Sequence, residues 1–174
     1  VYRFATFEFK LNSYKKYKMI QRIQSLFLLI VAISMGVFIS LPIWQKSDGT
    51  QSILMDAFRI THRLNEVQSE VQPVLYLVVL AVLVAGIALF TIFKYRNRLL
   101  QSALCAVNSI LMTVLMGLVI YQTIFNYGKL FDPESKGEFG VGFYAIVVAM
   151  LANVFANRFI RRDERLVRES NRFR

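Results

Sequence analysis

The sequence predicts an all-α membrane protein, an antiparallel four-helix transmembrane bundle that leaves room for a short extended element in its first outer loop. Three observations carry that prediction. The chain is 56% hydrophobic and only 18% charged, whereas a soluble domain carries about a quarter charged residues. It is nonetheless strongly basic, with a formal net charge of +10 over 174 residues. Those two facts conflict for a water-soluble globule and agree for a small membrane protein with basic ends on one side. The apolar residues also gather into four long uncharged runs, which a basic nucleic-acid binder would not contain.

Residues 1–18, VYRFATFEFKLNSYKKYK, neither span nor form a clear amphipathic helix. We read them as a leader translated behind an alternative start codon, with Met19 as the expected start. The rival reading is a basic-aromatic arm lying on anionic lipid, which the same composition permits.

A helix needs about 20 mostly apolar residues to cross the hydrocarbon layer. Runs at about 23–43, 74–93, 100–125 and 141–160 meet that length, and none has an ionisable residue near its centre. The first run exceeds the apolar core of a cleavable signal peptide and lacks a small-x-small cleavage site. Pro73 suits the start of the second span, where its missing N–H costs nothing. Pro42 and Trp44 mark the outer end of the first, and Trp is expected at that interface. Tyr95 and Tyr127 sit near other span ends.

The charges orient the spans. Segments 1–22, 94–98 and 157–174 carry 16 Lys/Arg between them, and the two intervening loops, 44–72 and 127–139, carry 5. The positive-inside rule therefore places both termini and KYRNR (94–98) in the cytoplasm. Ala32, Gly36 and Ser40; Ala81 and Ala85, with Gly86 beside them; Ser109, Thr113 and Gly117; and Ala145 with Ala149 recur at four-residue spacing. Small residues let membrane helices approach closely, so these stripes are the expected contact faces.

Few residues here suggest chemistry. Cys105 is the only cysteine and His62 the only histidine, so neither a disulfide nor a usual zinc site is available. A solvated His62–Asp56 pair in the first outer loop is the bland reading of the one acid-base candidate. Asn108, Gln122 and Asn153 are the notable intramembrane amides. Interhelical hydrogen bonding explains them more simply than a pore lining. Ionisable residues mark coupled transport inside a membrane, and the spans lack them. The reading therefore assigns no catalytic, cofactor-binding or metal-ligating residue and expects no enzyme. For ILMDAFRIT (53–61), periodicity does not separate a short strand from an amphipathic helix. DPESKGEFGVG is a turn-rich connector leading into the fourth span.

The tail, 161–174, is the most informative soluble piece. Phe159, Leu166 and Phe173 fall seven residues apart, as do Ile160 and Val167, which places them on one helical face. Asp163 lies along that stripe, Arg161 and Arg168 flank it, and Glu164 with Arg168 forms a favourable i,i+4 pair. The tail is thus expected to be a basic amphipathic helix continuous with the fourth span. Three partners compete for it: anionic lipid headgroups, a membrane or cytoplasmic protein docked on the apolar stripe, and a polyanion such as RNA. Nucleic acid is the least favoured, and a homo-oligomer stays open.

The stretches MIQRIQSLFLLI (19–30), RNRLLQ (96–101), FGVGFY (139–144) and ANRFIRRDERLVRESNRFR (156–174) resemble a bacterial family of small four-span inner-membrane proteins, typical of the Bacteroidota, filed as a domain of unknown function. The resemblance covers about residues 19–174. It implies a partly extended first outer loop and carries over no catalytic or ligand residue. Its polar signature matches Gln21, Arg22, Gln24, Arg96, Arg98, Gln101, Asn157, Arg158, Arg161, Asp163, Glu164, Arg168 and Arg172. Of these, Arg22, Arg96, Arg98, Arg161, Asp163 and Arg168, together with the apolar Leu166, Val167 and Phe173, mark the candidate partner or lipid surface. The functional expectation is an accessory or scaffold subunit acting through its basic face, with a small channel or carrier as the alternative.

Overall fold

The computed structural model describes residues 23–48, 51–64, 67–94, 97–128 and 137–172, without the side chains of 48, 67–70 and 166–172. Helix α1 covers Ile23–Ser40 and stops two residues before Pro42, because the ring disfavours helical backbone in the residue it follows. Strands β1 Trp44–Asp48, β2 Gln51–Met55, β3 Arg59–Leu64 and β4 Val67–Pro73 come next. Helix α2 runs Leu75–Phe93 and helix α3 runs Arg98–Ile120, continuing into a π-helical turn at Tyr121–Asn126. Strand β5, Glu138–Phe139, leads into helix α4, Val141–Arg172. All four helices contain stretches long and apolar enough to cross a membrane.

The all-α expectation needs correcting in the first outer loop. Instead of one short extended element, four strands fold there as an antiparallel meander, and β5 joins them from the second outer connection in the order β4-β3-β2-β1-β5. ILMDAFRIT is neither one strand nor one helix. It comprises the end of β2, a turn closed by Asp56 N–H donating to the Arg59 carbonyl at 2.9 Å, and the start of β3. His62 stands opposite Ile53 and Glu70. It lies three strand positions past the residue facing Asp56, which sets the two on opposite sides of the sheet. The acid-base pair is not assembled.

One face of the sheet closes the end of the helices. Ile43, Trp44, Ile53, Met55, Ala57 and Ile60 share a single buried cluster with Phe38 of α1, Leu77 of α2, Leu115 and Val119 of α3, and Ile146 of α4. A fully buried isoleucine or methionine on this face contributes about 1.5–3 kcal/mol relative to water exposure. Trp44 belongs to this core at 4% exposure. It is therefore not the interfacial anchor that its position after the first span suggests. The ends of α1 and α3 and the starts of α2 and α4 all meet at this sheet, so successive helices alternate in direction.

The glycines of FGVG make that junction close. A Cβ on Gly140 would collide with the Pro42 carbonyl oxygen, and one on Gly142 would stand 2.8 Å from the Leu41 carbonyl oxygen. With no side chain in the way, Gly140 N–H donates to the Ile43 carbonyl at 2.8 Å and Gly142 N–H to the Pro42 carbonyl at 3.0 Å. Lys46, buried on β1, donates from Nζ to the Gly128 carbonyl at 3.0 Å and ties the second outer connection to the sheet.

The small-residue stripes mostly do not form the contacts expected of them. Ala81, Ala145 and Ala149 are buried, but Gly36, Ser40, Gly86, Thr113 and Gly117 face outward, and a Cβ on Gly36, Gly86 or Gly117 would meet open space. Larger side chains fill the interior instead: Val31, Met35 and Phe38 on α1, and Met112, Leu115 and Val119 on α3. Ser40 and Thr113 satisfy their hydroxyls on their own helices, donating to the carbonyls of Gly36 and Ser109 at 2.9 Å each.

Candidate functional site

Away from the sheet the core changes character. A small apolar cluster of Leu28, Cys105, Ala156 and Ile160 lies apart from the large one, and polar residues occur on both sides of it. On the sheet side, Asn153 of α4 reaches across to α3, its Nδ2 donating to the Cys105 carbonyl at 2.9 Å and to Ser109 Oγ at 2.7 Å. Asn108, on the same stretch of α3, is 1% exposed, and neither its Nδ2 nor its Oδ1 has a hydrogen-bond partner. A buried polar group left unpaired costs about 1–3 kcal/mol. Asn108 is therefore retained against a stability cost.

At the other end, α3 starts at Asn97, whose side chain accepts from Leu100 N–H at 3.2 Å and caps the helix. Arg98, in the first turn, donates from Nη1 to the Asp163 carbonyl at 3.0 Å, and its Nη2 stands 3.2 Å from Asp163 Oδ2. Asp163 is 1% exposed, and its Oδ1 has no hydrogen-bond partner. Gln101 is buried and donates to the Thr91 carbonyl at 3.1 Å, fastening α3 to α2. Ser102 donates to Asn157 Oδ1 at 3.1 Å. Phe27 of α1 stacks on Phe159 at 5.6 Å, so the first part of the tail's apolar stripe packs against α1.

The expected surface residues therefore divide. Arg98 and Asp163 come together, with Asp163 buried among the helices. Arg161 is exposed and lines a crevice of about 310 Å³ with Ser102, Glu164 and Arg165. Leu166, Val167 and Arg168 lie on α4 with side chains outside the described set, and Arg22, Arg96 and Phe173 fall outside the described residues, as do 1–18. Of the three amides, Asn108 and Asn153 share the α3–α4 level. Gln122 stands apart in the π-helical turn, donating to the Tyr76 hydroxyl at 2.5 Å and accepting from Asn126. It lies roughly 20 Å along the helix from Asn108 at the helical rise.

Reading the sequence as spans left the buried Gln24, Gln101 and Thr91 without a role. The available signal was their place on the inward stripe: Gln101, Cys105, Asn108, Met112, Leu115 and Val119 follow helical spacing. Among the described residues, no group of three or more His, Cys, Asp or Glu could hold a metal ion. No curated protein matches the chain. Over residues 20–173 it matches the model of one family, and the chain belongs to that family, described as Domain of unknown function (DUF4293).

Proposed function

We propose that this is a non-enzymatic integral protein of the bacterial cytoplasmic membrane, an accessory or scaffold subunit that acts through a basic cytoplasmic face. Membrane residence is supported by the outward faces of the helices, which are as apolar as their interior: Leu26, Ile33, Val79, Val82, Ile110 and Leu151 are all exposed. Water does not tolerate that much apolar surface on a monomer. The positive-inside rule turns the basic end inward and the sheet outward.

One observation carries the scaffold reading. Helix α4 has 32 residues, about 48 Å at the helical rise, against a hydrocarbon layer of about 30 Å. Its surplus length projects from the basic end, where Arg161, Arg162 and Arg165 are exposed. A topological anchor needs charge but not a rigid projecting helix. The test replaces Leu166, Val167 and Phe173 together with Ser and recovers the protein with its companions by gentle detergent extraction. Loss of a stoichiometric companion from a protein still in the membrane is expected. Unchanged recovery counts against docking.

A second reading, a channel or carrier formed by the bundle or its oligomer, is favoured by the unpartnered buried amide of Asn108. It requires solute flux in proteoliposomes that falls when Asn108 becomes Leu.

A further inference from the structure

We propose that the crevice between α3 and α4 at the basic end is a binding site for the phosphate of an anionic phospholipid. The inference deepens the reading above and rests on the helices crossing the bilayer. Its wall is built from Ser102 on α3 and Arg161, Glu164 and Arg165 on α4, around about 310 Å³ of space.

Arg161 and Arg165 are one turn apart on α4, so both guanidinium groups project from the same side, and both are exposed. Arginine's fork of donors matches the oxygens of a phosphate group better than a point charge does. Ser102 and Asn157, hydrogen-bonded to each other at 3.1 Å, fix the floor where the two helices meet. The α3 N-terminus lies a single turn from Ser102, and its partial positive charge adds to the field. Glu164 is engaged in an interaction of its own, and its carboxylate sets a limit on how many anionic oxygens the crevice accepts.

Depth distinguishes a lipid from a soluble anion. From the sheet end of α3 at Tyr121 to Ser102 is about 28 Å along the helix, and from Val141 to Arg161 is about 30 Å. Both match one hydrocarbon thickness, so the crevice opens at the level of the phosphates of the opposite leaflet. Basic pockets between membrane helices on the cytoplasmic side are where headgroup recognition occurs. Arg98 is committed to Asp163 and does not compete for the ligand.

The test is native mass spectrometry of the full chain in detergent with added phosphatidylglycerol, phosphatidylcholine or inorganic phosphate. Wild type is expected to retain phosphatidylglycerol roughly tenfold over phosphatidylcholine, and the R161Q/R165Q variant to lose most of that preference. The R158Q/R162Q variant removes the same charge from exposed arginines that do not line the crevice, and should keep the preference. Equal loss in both variants, absence of a preference in wild type, or inorganic phosphate held as well as lipid would each overturn the site. None of those outcomes bears on membrane residence or companion recovery, which the triple Ser variant addresses separately.

Discussion

Asn108 and Asn153 are the same residue type at the same depth, yet substitution should move stability in opposite directions. Asn108 has no hydrogen-bond partner for either polar atom, so Asn108→Leu removes an uncompensated amide and adds apolar packing. Unfolding in mixed micelles should show it more stable by about 1–3 kcal/mol. Asn153 makes two hydrogen bonds to α3. Asn153→Leu should cost about 1 kcal/mol, the usual scale for polar contacts between membrane helices. Equal destabilisation by both would mean that Asn108 has a partner the fold does not reveal. Sequence alone shows three amides in apolar runs and cannot rank them, because their difference lies in what the neighbouring helix offers.

The joint between α3 and α4 behaves as one element at the basic end. Arg98 closes it by holding both the side chain and the backbone of Asp163, a carboxylate 1% exposed. Removing one partner of a buried pair strands the other, which typically costs about 3–5 kcal/mol. Arg98→Ala should therefore lower the unfolding midpoint markedly, and adding Asp163→Asn should recover a large part of the loss. A double variant no better than the single one would show that Arg98 acts through packing alone. Periodicity puts Asp163 on the tail's apolar stripe. Its partner was out of reach of the same argument, since the two residues are 65 positions apart and meet only when α3 and α4 pack.

For the whole molecule, the proposed orientation makes a sided prediction. A reporter fused after Arg174 should be active in the cytoplasm and silent in the periplasm, and one inserted between β1 and β2 should do the reverse. Matching signals from both positions would sink the orientation. The sheet is what makes this arrangement more than a set of helices, because it gathers strands from the α1–α2 and α3–α4 connections into one cap packed on the helix ends.

Helix length, apolarity and the partition of charge are local or summed properties, so the chain by itself determined four stretches long and apolar enough to cross a membrane and the uneven distribution of charge between the segments that join them. The hairpin of β1 and β2, in which Asp48 stands opposite Gln51, was harder to read. Its strands are half polar and short, which keeps their alternation faint beside runs of leucine and valine. Which faces of the helices touch was decided only in three dimensions, where bulky residues displaced the glycine stripes from the interior. The same holds for the sheet order, the Arg98–Asp163 joint and the Ser102–Arg161 crevice. Each depends on residues far apart in the chain being brought to one depth, and no local pattern encodes that.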